Sequence, residues 1–368
     1  MTSHLYILGR TPDLAYLELQ TFLPDVTRIA EGVAMSANIV PISKLGGTIK
    51  IGEIIGNVRS LTPDTLAPYI DSQTFGLSLS ADNPKPSRTL LEGIKTIMAL
   101  RGRHVRFVEP RNGSQLSSVV IQKQHVQEYM LVQQHDGYFV GKTIEVQPFE
   151  DWNRRDYGRP YADPKAGMLP PKVSRMVVNI ADRQRDIGTV LAQKTLLDPF
   201  CGMGTILAEA LVMGWNVVGG DQSEDVVAKA RKNLQWLVQK NPDLGVTYRL
   251  NVADAVHISD VIDQASVDAI VTEPFMGPPK ITDVRNTIKG LEKLYIGCLR
   301  DWRHTLEPHG VVMMALPMYT LGGKTYFVKK VIDMCETLGY TIVTGPIEYS
   351  RPQAIVKRVF YLFQKISN

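Results

Sequence analysis

The sequence predicts an α/β protein, with a doubly wound, Rossmann-like sheet in its C-terminal half and smaller α+β units before it. Three observations predict this. From about residue 173 to the end, apolar runs of strand length alternate with helical patterns. One such run ends in Asp198 and opens into a glycine-rich turn, Pro199-Phe200-Cys201-Gly202-Met203-Gly204, at the head of a helix. A proline- and glycine-rich stretch over 148–172 separates this half from the shorter strands and helices that precede it.

Taken in order, His4 to Leu8 reads as a strand, and Asp13 reads as the cap of a helix that Pro24 ends. Val26 to Ile29 and Val33 to Met35 read as strands around Glu31-Gly32, and Thr48 to Ile55 as another. These make a first α+β unit over 1–62. A second unit covers 63–147. There Phe75 to Ser80 alternates like a strand, and Ser87 caps a helix that turns Leu90, Leu91, Ile94, Ile97 and Met98 inward. His104 to Val108 follows as a strand, and Asp136-Gly137 marks a hairpin between Tyr129–Gln134 and Tyr138–Val146. The segment 148–172 reads as an irregular connector. In the last unit, 173–368, strands are expected at 196–197, 217–219, 246–250, 267–271, 311–316, 340–344 and 355–363, the last one antiparallel at the sheet edge. The helix after Ser223 is expected to bury Val226, Ala230, Leu234 and Leu237. The helix near 288–306 is expected to bury Leu291, Tyr295, Cys298 and Trp302.

Composition excludes several classes. Hydrophobic residues make up 44% and charged residues 21%, ordinary for a globular protein. No apolar run approaches the roughly 18 residues of a membrane span, and MTSHLYILGR has no signal-peptide pattern. Cys201, Cys298 and Cys335 are too few and too scattered for a disulfide framework or a zinc site. No metal is expected, and a reducing cytoplasm is the expected compartment. The net charge of +4 points only weakly to a polyanion. Its placement says more: Lys85, Arg88, Lys95, Arg101, Arg103 and Arg106 cluster on and around one helix, where they can meet phosphates. The competing reading is an ordinary solvated helix face.

The turn itself discriminates between cofactors. Ligands in such sheets lie beyond the carboxyl ends of the strands, where Asp198 and Asp221 both fall. Asp221 stands about 20 residues past the turn, the spacing at which an acid reaches a ribose diol. Gly202 and Gly204 let backbone approach a ligand, but Leu207 occupies the third glycine position of the dinucleotide pattern. A bulky residue there argues against tight helix packing under a pyrophosphate. An acid just before the turn suits a ligand with a positive amino group, and S-adenosylmethionine carries one together with a sulfonium. Asp254 ends the third strand, where it can accept from an adenine amine. Alone, each acid reads better as a strand-end cap or a turn aspartate. The fourth strand runs into Thr272-Glu273-Pro274-Phe275-Met276-Gly277. An acid followed by proline and an aromatic suits amine methylation. The acid and a backbone carbonyl accept the amine hydrogens, and the aromatic stacks on the base.

Together these motifs resemble the THUMP-domain tRNA guanosine N2-methyltransferases of the guanosine-10 type, over nearly the whole length. LYILGRTPDLAYLELQTFL is similar to the family's ferredoxin-like N-terminal unit. FGLSLS, RGRHVRFVE, LSSVVI and GYFVGKTIEVQ are similar to its THUMP domain. RRDYGRPYADPKAGMLPPK resembles its linker, and DPFCGMGTILAEA its cofactor turn. The resemblance implies a class I methyltransferase domain over 173–368, a ferredoxin-like unit over 1–62 and a THUMP RNA-binding domain over 63–147, with tRNA as partner. It implies S-adenosylmethionine held by Asp198, Pro199, Phe200, Cys201, Gly202, Gly204, Thr205, Asp221 and Asp254, with Leu169 and Pro170 beside it. In some lineages the family works with a small activating subunit.

The chain departs from the family at the catalytic strand end, where the family reads Asp-Pro-Pro-Tyr-Gly. Aligned without gaps, Glu273, Pro274 and Phe275 become the catalytic group, and Gly277 matches. A second register puts Thr272 at the acid and Phe275 at the aromatic. Other readings remain: N6-adenine methylation of RNA or DNA, a non-catalytic tRNA-binding protein with a relic pocket, or a dehydrogenase.

Overall fold

A computed structural model describes residues 2–80, 84–162, 168–182, 193–350 and 354–367. The chain divides into two compact units, Met1–Trp152 and Asn153–Asn368.

The first unit runs β1 (His4–Leu8), α1 (Pro12–Phe22), β2 (Thr27–Ala30), β3 (Val33–Ser36), β4 (Thr48–Val58), α2 (Pro63–Leu66) and β5 (Thr74–Leu79). It continues with α3 (Arg88–Leu100), β6 (Arg106–Phe107), α4 (Ser118–Lys123), β7 (Gln127–Gln134) and β8 (Gly137–Val146). Its eight strands form one sheet in the order β2-β3-β1-β4-β8-β7-β5-β6. The sheet is continuous because β4, from the first predicted unit, pairs antiparallel with β8 from the second. Helix α3 buries Leu90, Leu91, Ile94 and Met98 against Phe75, Leu77 and Tyr129, as its spacing requires. Ser87 caps it, its hydroxyl accepting from the Leu90 amide at 3.2 Å. The expected cap at Asp13 is displaced. Thr11 is the residue before α1, Pro12 takes the first helical position, and Asp13 pairs with Arg28 from inside the first turn.

The connector is less irregular than its prolines suggest. Helix α5 (Phe149–Tyr157) occupies its start. Glu150 and Asp151 stand in the first turn and Arg154 and Arg155 in the last, the arrangement a helix dipole favours. Residues 163–167 of the expected connector lie outside the described ones.

The second unit contains α6 (Pro171–Asp182), β9 (Thr195–Asp198), α7 (Thr205–Val212), β10 (Asn216–Asp221), α8 (Glu224–Lys240), β11 (Tyr248–Val252) and β12 (Val267–Thr272). Then come α9 (Val284–Thr305), β13 (Leu306–Leu321), β14 (Lys324–Phe327), α10 (Lys329–Asp333), β15 (Tyr340–Tyr349) and β16 (Val356–Lys365). The strand order is β11-β10-β9-β12-β13-β16-β15, parallel except where β16 runs antiparallel to both neighbours. The expected antiparallel last strand is present, but not at the edge. It inserts between β13 and β15 because Val359, Phe360, Leu362 and Phe363 must be buried, whereas β15 carries exposed Thr341 and Ile342. Strand order reverses between β9 and β12, so a crevice forms beyond their carboxyl ends.

Helix α7 packs tightly despite Leu207. Gly219 of β10 makes the room that a helix glycine would otherwise make, since a Cβ there would fall 2.6 Å from Leu207 Cδ1. In α8 the buried face holds Val227 rather than Val226, together with Ala230, Leu234 and Leu237. Leu291, Tyr295, Cys298 and Trp302 of α9 are all buried as expected. The Trp302 indole donates to the Ala255 carbonyl at 2.9 Å, tying α9 to the turn after β11.

One buried carboxylate fastens three helices. Glu209 of α7 is 1% exposed and accepts from Arg155 of α5 at 2.8 Å and from Arg175 of α6 at 2.7 Å. Removing one partner of such a cluster leaves uncompensated charge. Glu209→Gln is therefore expected to destabilise the second unit by about 3–5 kcal/mol in urea unfolding followed by tryptophan fluorescence.

Candidate functional site

A cleft of about 990 Å³ opens at the carboxyl ends of β9, β10, β11 and β12. Of the expected cofactor residues, Leu169, Asp198, Pro199, Phe200, Cys201, Gly202, Thr205, Asp221 and Asp254 line it, together with Glu273, Pro274 and Phe275 from the expected catalytic group. Two expected residues do not. Pro170 is the residue before α6, its carbonyl accepting from the Val173 and Ser174 amides. Gly204 takes φ 80° as the residue before α7 and backs onto Leu234, so it serves the turn rather than the cleft.

Asp198 is the most deeply set acid. It is 2% exposed, accepts from the Thr272 hydroxyl at 2.7 Å and from the Phe200 amide at 3.2 Å. Burial pushes its carboxyl from the ordinary 3.8 up to about 7; the two hydrogen bonds oppose this, and nearby Asp221 and Glu273 add to it. A cation placed against this carboxyl would restore its charge. Asp221 closes the turn from the next strand. It accepts from the Gly202 amide at 3.3 Å and from the Ser223 amide at 2.9 Å. Asp254 is exposed on the cleft wall and also caps the following turn, accepting from the Val256 amide at 3.0 Å. One side chain of Asp254 thus both caps the turn and lines the cleft.

Cys201 sits in the turn but is no nucleophile. Burial and the neighbouring Asp198 and Asp221 raise its thiol well above the usual range. Among the described residues no cluster of His, Cys, Asp and Glu has metal-site geometry, and no helix is long and apolar enough to cross a membrane.

The strand end after Thr272 is fixed from two sides. Tyr295 of α9 donates to the Phe275 carbonyl at 2.6 Å, and Tyr319 of β13 donates to the Met276 carbonyl. Burial raises the Tyr295 phenol well above its ordinary value and pushes that of Tyr319 to about 12, so both remain donors. Glu273 pairs with Arg358 of β16, at 15% and 10% side-chain exposure. Phe275 is 54% exposed on the cleft rim.

Sequence reading missed Thr272 as a partner of Asp198, both tyrosines and Arg358. An arginine inside the apolar run Val356–Phe363 is the one local signal that was available. It also missed Asn233 of α8. Its amide donates to the Tyr161 and Met203 carbonyls and accepts from the Tyr161 amide, each at 2.9 Å, binding the connector to the glycine turn. The six basic residues of the expected RNA surface belong to the first unit, and all are exposed. Arg88 pairs with Glu92 and Glu109, and Arg103 donates to the Ile70 carbonyl, so two of the six are engaged within the fold.

Comparison with known proteins agrees with this geometry. Residues 159–321 match the UPF0020 family, described as an RMKL-like methyltransferase domain. The chain is 29% identical over 226 residues to a tRNA (guanine(10)-N2)-dimethyltransferase of Pyrococcus abyssi, covering 61% of this chain and 56% of that protein. It is 34% identical over 187 residues to an enzyme of the same name from Methanothermobacter thermautotrophicus, covering 50% and 49%. The matched region spans about half the length of these curated relatives. The crystal structure of TrmN from Thermus thermophilus is similar over the full length of both chains, with a TM-score of 0.56 and 17% identity, a likeness of fold.

Two outcomes are expected. Asp198 binds its proton more tightly in the folded chain than unfolded, so its contribution to stability is complete below about pH 3.8 and is lost as pH rises through about 7. The unfolding free energy of the unaltered protein minus that of Asp198→Asn should fall across this window and level off above it; a pH-independent difference would contradict the burial argument. Tyr319→Phe should cost about 1 kcal/mol of stability, the worth of one hydrogen bond, in thermal or urea unfolding. The second unit thus has the fold of class I methyltransferases, and residues 159–321 match a methyltransferase-domain family.

Proposed function

We propose that this protein is an S-adenosylmethionine-dependent methyltransferase that transfers a methyl group to the exocyclic N2 amine of a guanosine in tRNA. The observation that carries the proposal is the meeting of Asp198, Asp221, Asp254 and Glu273-Pro274-Phe275 in one cleft, at the ends of four adjacent strands. The names of the archaeal relatives supply the substrate.

The donor set fits the cofactor. Asp198 is a buried acid whose charge needs a cation, and the ammonium of S-adenosylmethionine is one. Asp221 would hold the ribose hydroxyls and Asp254 the adenine amine. Leu169, Pro199, Phe200, Cys201, Gly202 and Thr205 complete the wall. When bound, the cofactor supplies an electrophilic methyl group on a sulfonium.

The chain's own residues then do three things. Glu273 accepts hydrogen from the target amine, whose lone pair is otherwise delocalised into the base. Phe275 offers its exposed face to the base. Tyr295 and Tyr319 fix the backbone that carries both, so that acceptor and stacking surface keep one geometry. Positioning of this kind is the main source of acceleration for a displacement that needs no nucleophile from the protein.

In the first unit, residues 1–62 act as the ferredoxin-like unit and residues 63–147 as the THUMP domain in this proposal. Lys85, Arg88, Lys95, Arg101, Arg103 and Arg106 would contact tRNA phosphates, which makes binding salt-dependent.

The test is tritium transfer from labelled S-adenosylmethionine to tRNA, with nucleoside mass spectrometry of the product. The expected product is N2-methylated guanosine. Glu273→Ala is expected to lower the rate by about 100-fold or more while cofactor affinity in isothermal titration is kept. No transfer to any tRNA pool would overturn the proposal.

A further inference from the structure

Arg358 is the unexplained residue of the cleft. An arginine whose side chain is 10% exposed stands in the wall of a site proposed to take a cationic cofactor. Placed there alone it would repel that ligand and bear a large desolvation cost. It is not alone: its Nε donates to Glu273 Oε1, and its guanidinium lies 5.8 Å from the centre of the Tyr349 ring. Of the described residues lining the cleft, only Lys280 and Arg358 are Lys or Arg, and Lys280 is exposed. Arg358 therefore acts on Glu273, the residue one methylene longer than the aspartate expected at this position.

The chemistry of the two purines gives this pairing a consequence. An ionised carboxylate accepts hydrogen bonds and donates none. The guanine edge beside its exocyclic amine offers two adjacent N–H donors, N1–H and N2–H. The adenine edge offers a donor, N6–H, beside an acceptor, N1. A carboxylate meets both groups of guanine and repels N1 of adenine, whereas a protonated acid or an amide satisfies adenine. Arg358 donates to Glu273 within an ion pair, and a cationic donor favours the charged, acceptor-only form of a carboxyl group.

We propose that Arg358 is a positioning and specificity residue, which holds Glu273 as an acceptor-only carboxylate so that the site takes guanine rather than adenine. This rests on the methyl-transfer reading above. Arg358 does not touch the reacting atoms; it acts through Glu273.

The experiment compares the full-length protein with Arg358→Met, Arg358→Lys, Glu273→Gln and the double variant Glu273→Gln/Arg358→Met. Rates of methyl transfer to tRNA are measured, and nucleoside mass spectrometry counts methylated guanosine and adenosine. Arg358→Met is expected to lower kcat by about 10- to 100-fold with KM for tRNA within about twofold, the signature of lost positioning. The adenosine share of product rises, and Arg358→Lys recovers part of the rate. In the Glu273→Gln background, Arg358→Met has less than about a threefold further effect, because the pair is already broken.

An unchanged kcat and product ratio in Arg358→Met overturns the inference. So does a full additional loss in the Glu273→Gln background, which marks Arg358 as a brace of the sheet. Absence of transfer by the unaltered protein overturns the functional proposal and this inference with it. That outcome is distinct, since it is read before any variant is compared. Melting temperatures recorded alongside keep unfolding apart from catalysis, and Arg358→Lys retains the charge if the methionine variant is unstable.

Discussion

The hydrogen bond from Thr272 to Asp198 joins the two strands between which the sheet reverses. It binds the end of β9, where the glycine turn begins, to the end of β12, where Glu273 begins. A carboxyl group buried this deeply loses most of its hydration, so it needs either a proton or a partner. The Thr272 hydroxyl and the Phe200 amide supply part of what water would have supplied. The remainder is left to whatever occupies the cleft. Two adjacent strand ends are thereby held in register, one carrying the glycine turn proposed for the cofactor and one carrying Glu273, proposed for the substrate.

The rest of the site is built outward from this pair. Asp221 closes the glycine turn from β10, and Gly219 on the same strand admits Leu207 so that α7 can sit close above it. Asn233 and Glu209 hold the turn and its helix from behind, through Tyr161, Arg155 and Arg175. On the proposed substrate side, Tyr295, Tyr319 and Arg358 come from α9, β13 and β16 and hold Phe275, Met276 and Glu273. The cleft wall therefore carries excess negative charge toward the cofactor turn, where a cation is proposed, and a paired acid toward the substrate, where an amine is proposed.

The connector shows how polar contacts override composition. Prolines and glycines over 148–172 argue for irregular chain, and residues 158–162 and 168–170 are irregular as expected. Its first nine-residue helix forms all the same, because Trp152 is buried and Arg155 reaches Glu209. The last strand makes the same point for packing. Its short connection predicts pairing with β15, and that pairing occurs. Its place between β13 and β15 follows from the need to bury both of its faces, which local sequence does not express.

What the sequence determined by itself was whatever is encoded locally. Strand and helix periodicity, the Ser87 cap, the Asp136-Gly137 hairpin and the acids at strand ends all depend on residues within a few positions of each other. They sufficed for an α/β sheet and for most of the residues that line the cleft. Tertiary structure alone decided the partners of those residues. Arg358 meets Glu273 across 85 positions of chain, Thr272 meets Asp198 across 74, and Tyr319 meets Met276 across 43. Such contacts arise from strand order, because neighbours in the sheet are not neighbours in the chain. The identity of the acid at 273 was legible from the start, but its pairing, and with it the kind of base edge it suits, emerged only once β16 was placed beside β13.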